Sequence, residues 1–291
     1  MDAPAVPPRP GLAARLALCN EVLAPMDFAA QCALAASLGY RALEVAPFTL
    51  ADDPLAIDDA RAAVLRRVAA DHGLAICGLH WLLVAPKGLS ITTPDDALRV
   101  RTVEAMRRLV ALCAALGGEY LVHGSPAQRA IAPGQSHADA LARAADCWRR
   151  AGEAAGEAGV VYCIEPLSGD QTPIVNTVAE AAAIVRAAGL PALRTMLDTS
   201  SAGLAEAESP AALIERWWPT GLLAHVQLND RNRRAPGQGE DRFGPILAAL
   251  ARNGYAGWIA VEPFDYRPDG PGCAAFAAGY LRGLLEGSSQ P

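Results

Sequence analysis

Lysine is nearly missing from this chain: Lys87 is the only one among 25 basic side chains, and arginine supplies the rest. With 31 acidic residues the formal net charge is −6 and the pI lies near 5.4. The strongly basic face that nucleic acids or anionic membranes demand is therefore lacking. No apolar run reaches membrane-spanning length. The opening Met1-Asp2-Ala3-Pro4-Ala5-Val6-Pro7-Pro8-Arg9-Pro10 has neither the basic nor the apolar segment of a secretory signal. It reads as a flexible, proline-rich tail over 1–11. C-x-x-C pairs are absent as well. The seven cysteines are scattered and odd in number, which argues against a disulfide framework or a zinc knuckle and for reduced thiols in the cytoplasm. Finally, no glycine-rich turn follows Leu18-Cys19-Asn20-Glu21, where an open dinucleotide-binding sheet would need one.

What is present is a repeated phrase: helix, glycine, short apolar strand. Gly39 precedes Ala42-Leu43-Glu44-Val45, Gly73 precedes Ala75 to His80, and Gly118 precedes Tyr120-Leu121-Val122-His123. Gly159, Gly189 and Gly254 stand before three later runs. Glycine just past a helix supplies the left-handed residue that turns the chain back into a strand. Helix starts are marked at Asp95-Asp96, Thr177 and Ser209-Pro210, and amphipathic stretches run from Asp96 to Leu116 and from Ala138 to Ala158. A first strand is expected in the apolar piece Leu12 to Leu18. Eight such units imply a parallel sheet closed on itself, a single (β/α)8 TIM barrel of the α/β class over 12–291. The hydrophobic share of 52% is ample for its core. Two long post-strand loops, Trp81 to Thr93 and Asn229 to Asp241, would cover the mouth as lids.

Four consecutive strand-like runs end on Glu165, Asp198, His225 and Glu262. A carboxylate finishing a buried apolar strand calls for a cationic or polar partner. In a barrel all four would meet at the C-terminal mouth, where active sites form. Three carboxylates and an imidazole suit one divalent cation, Mn²⁺ first, with Mg²⁺, Co²⁺ or Zn²⁺ as alternatives.

Ile164-Glu165-Pro166-Leu167, Leu197-Asp198-Thr199, Ala224-His225-Val226 and Val261-Glu262-Pro263-Phe264 resemble the four metal-binding strand ends of the xylose-isomerase-like sugar isomerase/epimerase superfamily. Tagatose and psicose 3-epimerases and hydroxypyruvate isomerases belong to it. The resemblance extends from Leu16 to about Leu284 and is strongest at Leu121 to Arg129 and at Asn232 to Gly239. It implies a metal-dependent isomerase or epimerase acting on a sugar or keto-sugar, often a dimer or tetramer. Glu165 and Glu262 would be both ligands and the acid/base pair. A cation bridging carbonyl and hydroxyl oxygens acidifies the C–H between them and holds the enediolate, while one carboxylate removes the proton and the other returns it.

Further residues carry two readings each. Arg233 matches the arginine that holds a substrate oxygen in ketose epimerases, or is a solvated member of a charged loop. His80 and His123 would bind substrate hydroxyls or a second cation, or be hydrogen-bonded rim histidines. Trp81 suits a sugar-stacking wall or ordinary rim packing. Glu44 is a hydroxyl acceptor or half of an ion pair. Gln171 stands where the epimerases carry a second glutamate, and Ser201 where they carry a histidine, so this end of the pocket is reshaped. The reshaping leaves a metal-dependent lyase acting on keto-glycosides as the alternative. An apurinic-endonuclease-type repair enzyme ranks below it, because Ser201 replaces a required histidine and the chain is acidic.

Overall fold

The computed structural model describes residues 11–287, so nearly all of the expected proline-rich tail over 1–11 lies outside the described residues. Eight parallel strands close into a barrel in sequence order: β1 (Leu16–Cys19), β2 (Ala42–Val45), β3 (Ala75–Leu79), β4 (Tyr120–His123), β5 (Val161–Ile164), β6 (Leu193–Asp198), β7 (Leu223–Leu228) and β8 (Ile259–Val261). The expected (β/α)8 architecture is the observed one. The first strand begins later than the apolar pattern implied, because Leu12–Arg15 forms a 3-10 turn with Arg15 at its end.

Around the barrel lie α1 (Phe28–Ser37), α2 (Asp59–Asp71), α3 (Asp96–Leu116), α4 (His137–Ala158), α5 (Val178–Ala188), α6 (Thr199–Ala205), α7 (Pro210–Trp217), α8 (Phe243–Arg252) and α9 (Gly270–Gly287). The capping signals act as expected. The Asp95 carboxylate accepts from two amides at the start of α3. Thr177 and Glu180 cap α5 reciprocally. Gly117 and Gly159 adopt φ of +82° and +71° after α3 and α4, the left-handed turn that sends each chain into the next strand. Strand side chains alternate between the barrel interior and the helical layer, and both layers are dry, from Ala17 and Ala260 inside to Trp148 on α4. No described helix is long and apolar enough to cross a membrane, and all seven cysteines are unpaired and buried.

Candidate metal centre at the mouth of the barrel

The C-terminal ends of β5, β6 and β8 bring Glu165, Asp198 and Glu262 together, each offering an oxygen within 4.8 Å of the others. All three are buried. Burial drives the Glu165 carboxyl well above its ordinary range, Asp198 adds to the rise, and Arg129 opposes it. Burial likewise raises Glu262, with the charges of Glu165, Glu21 and Asp198 adding. Asp198 is pushed up to about 6 by burial, against hydrogen bonds from Ser201 and Asn229.

Each carboxylate is held by the chain around it. Asp198 Oδ1 accepts from the Ser201 amide at 2.7 Å, which fixes it to the start of α6. Glu262 Oε1 accepts from Trp81 Nε1 at 3.0 Å, and its carbonyl accepts from Asn229 Nδ2 at 2.9 Å. The Glu165 carbonyl accepts from the buried Arg129 guanidinium at 2.8 Å. Its carboxylate lies over Gly124, where any Cβ would collide with it. Trp81 itself sits at φ +50°. That left-handed backbone costs about 1–3 kcal/mol in a non-glycine residue and persists only where the surroundings fix it. Here the bond to Glu262 and ring contacts with Phe48 and Phe264 do so.

His225, the fourth ligand expected, is not among the atoms that lie within 4.8 Å of one another. Strand β7 runs on to Leu228, so His225 is a mid-strand residue. A register shift between Thr195 and Met196 sets His225 opposite Met196 and Gln227 opposite Asp198. The imidazole is stacked on Tyr120 with ring centroids 4.0 Å apart. Its Nε2 is 2.8 Å from Glu44 Oε2, an ion-pair distance outside hydrogen-bond alignment. Gln227 is the β7 residue paired with Asp198, whereas His225 registers through Met196 with the end of β5. Gln227 donates from Nε2 to Glu44 Oε1 at 2.6 Å, while its Oε1 is buried with no partner.

The remaining expected site residues divide. Glu44 is fully buried inside the barrel and engaged by Gln227, His225 and the Tyr120 hydroxyl. The ion-pair reading describes it, and the substrate-acceptor reading does not. His123 faces the helical layer: its Nδ1 accepts from Tyr162 and from Trp148 Nε1, and burial with Arg129 nearby keeps the ring neutral. It is a structural histidine, away from the mouth. His80 stays at the mouth, bonded through Nε2 to Glu21 Oε2 at 2.7 Å. Gln171 Oε1 accepts from Ser201 Oγ at 3.3 Å, so the two reshaped positions touch. Arg233 pairs with Asp170 on the loop after β5, which brings the lid over this wall.

Sequence reasoning passed over Glu21, Cys19 and Gln227. Their signal was the period of two continued past the first polar residue: Cys19 to Glu21, and His225 to Gln227.

A hard divalent cation takes several oxygen ligands, charged ones foremost. Three buried carboxylates that remain raised despite Arg129, Ser201 and Asn229, with Asp198 Oδ2 and Gln227 Oε1 both lacking partners, fit that demand.

Residues 32–283 match the family described as xylose isomerase-like TIM barrel. A D-psicose 3-epimerase of Agrobacterium fabrum is 28% identical over 232 residues, which span 79% of this chain and 76% of that protein. The crystal structure of a D-psicose 3-epimerase in the presence of D-fructose superposes with a TM-score of 0.78 at 22% identity, over 93% of this chain and 99% of that one. A 3-keto-D-glucoside 4-epimerase from E. coli gives a TM-score of 0.78 at 19% identity, over 92% and 99%. At these identities the two structures speak for the fold.

Proposed function

This chain belongs to the xylose isomerase-like TIM barrel family, and from that premise we propose that it is a divalent-metal-dependent sugar epimerase or isomerase. The observation that carries the reading is the buried convergence of Glu165, Asp198 and Glu262. The names of the matched relatives, psicose and ketose 3-epimerases, support a keto-sugar as substrate.

Glu165, Asp198 and Glu262 would hold the cation, Mn²⁺ first, with the Gln227 amide oxygen in the place expected of His225. When bound, the cation polarises the carbonyl and acidifies the neighbouring C–H. Glu165 and Glu262 come from β5 and β8, and in this reading they act as base and acid on a carbon held between them. Trp81 holds one Glu262 oxygen by its indole N–H and presents its ring as an apolar wall. Arg233 and Gln171 stand together at the opposite wall, where the Gln171–Ser201 contact gives substrate hydroxyls a neutral surface. The buried, unpaired thiols fit a reducing compartment, and we place the protein in the cytoplasm.

The neutral Gln171–Ser201 wall also favours a second reading, in which the same proton abstraction on a keto-glycoside expels a β-leaving group. One experiment addresses both: ketoses and keto-glycosides incubated in D₂O with Mn²⁺ and followed by NMR. Deuterium should enter the carbon beside the carbonyl, with epimer or isomer as product; release of the aglycone would select the lyase. Glu165→Gln and Glu262→Gln should each slow exchange by about 10²–10⁴-fold. Exchange that survives in both variants would sink the assignment.

A further inference from the structure

A second group of metal-binding side chains lies beside the first. Cys19, Glu21, His80 and Glu262 each offer a ligand atom within 4.8 Å of the others. That span is about twice a metal–ligand bond of roughly 2.0–2.4 Å. The four come from the ends of β1, β3 and β8, on the side of the mouth away from Glu165 and Asp198. Glu262 belongs to both groups.

We propose that this second group holds its own divalent cation, bound by Glu21, His80 and Cys19, with the Glu262 carboxylate shared between two ions. Three observations beyond the clustering support it. Glu21 is nine-tenths buried, and its Oε1 has no hydrogen-bond partner. A buried carboxylate oxygen left so is costly unless a cation meets it. His80 Nε2 lies 2.7 Å from Glu21 Oε2 and 3.7 Å from Glu262 Oε1. A single proton between His80 and Glu21 therefore occupies the place a cation would take, and metal entry would release it. The other ring nitrogen, Nδ1, is buried without a hydrogen-bond partner, and the nearest carboxylate oxygen, Glu44 Oε1, is 3.7 Å away. Metal-bound histidines regularly hand their second N–H to such a carboxylate, which fixes the tautomer.

The donor sets also differ. One sulfur, one imidazole and two carboxylates suit Zn²⁺ or Co²⁺, whereas the carboxylate and amide oxygens of the first site suit Mg²⁺ or Mn²⁺. The inference shares Glu262 with the single-cation reading but does not depend on its catalytic claim.

The test is metal stoichiometry of the full chain, stripped with chelator, dialysed against Co²⁺ and assayed by elemental analysis. Wild type should take up about two equivalents, and Glu21→Gln and Asp198→Asn about one each. Uptake of about one equivalent by wild type, lost in Asp198→Asn and unchanged in Glu21→Gln, would overturn the second site and leave the first standing. Uptake of about one equivalent by wild type, kept in Asp198→Asn and lost in Glu21→Gln, would do the reverse. No uptake at all would remove both. The Co²⁺ spectrum gives a reading that needs no damaging variant. A thiolate-to-cobalt charge-transfer band should be present in wild type and lost in Cys19→Ser, and its absence from wild type would refute sulfur ligation.

Discussion

Two sets of carboxylates share one barrel, a lower one at Glu44 on β2 and an upper one at the mouth, and they are in opposite electrostatic states. In the lower layer, burial alone would raise the Glu44 carboxyl. His225, His80 and the Tyr120 hydroxyl outweigh it and bring the carboxyl down to about 2. In the upper layer Glu165, Asp198 and Glu262 are equally dry but face one another, and all three are raised. In the lower layer the Glu44 carboxylate is met by cationic and donor groups that hold the barrel's interior. The upper one is loaded against itself, the condition of a site built around a ligand the chain does not supply. Burial is common to both, so the partners decide which carboxylate is structural and which is poised.

The comparison breaks most visibly if Glu44 is dispensable. Glu44→Ala leaves His225 without its ion-pair partner and Gln227 without its acceptor. It should cost about 3–5 kcal/mol in chemical denaturation, with or without added metal. A loss confined to the metal-loaded protein would mean that the lower layer belongs to the site.

The layers should also respond oppositely to pH in chelated protein. The folded Asp198 titrates near 6 against an ordinary 3.8. The folded state therefore binds more protons in that window, and stability rises as pH falls through it. The folded Glu44 titrates near 2 against an ordinary 4.5, so its contribution is complete above 4.5 and is lost as pH falls toward 2. Stability of the metal-free protein should therefore pass through a maximum near pH 4–5, higher than at pH 7 by on the order of 1–3 kcal/mol. Saturating Mn²⁺ should abolish the gain on acidification, by binding the deprotonated carboxylates. Stability of chelated protein that climbs steadily from pH 4 to 7 would contradict the picture of a self-repelling upper layer.

The smallest effect separates the two inward residues of β7. Gln227→Ala should weaken Mn²⁺ binding about tenfold, or roughly 1.4 kcal/mol, by removing one oxygen. His225→Gln should leave Mn²⁺ binding near wild type and lower stability instead. The reverse pattern, measured by metal titration and denaturation, would return the ligand role to His225.

Much of the molecule was legible before any coordinates. Glycines after helices and acidic or hydroxyl caps before them mark local free-energy minima, so α3 emerges over Asp96–Leu116 as its periodicity implied. Glu165, Asp198 and Glu262 could be found because a charge at the end of a buried apolar run is costly wherever it occurs. Arg129 shows the boundary. Its chain position marked a resemblance, but nothing local revealed that it would be fully buried, tying the carbonyl of Glu165 across the ends of β4 and β5.

The chain itself determined the eight strand–helix units, their closure, and which strands carry carboxylates, since propensity, capping and period-two burial act over a few residues. Only the assembled barrel decided the height of each side chain. The shift between Thr195 and Met196 pairs Gln227 with Asp198 and His225 with Met196, and closure of the barrel brings both β7 side chains to Glu44. The closure of β1 on β8 puts Glu21 and His80 beside Glu262. Height depends on register between strands distant in sequence, and a periodicity of two fixes which way a side chain faces but not the layer in which it lands.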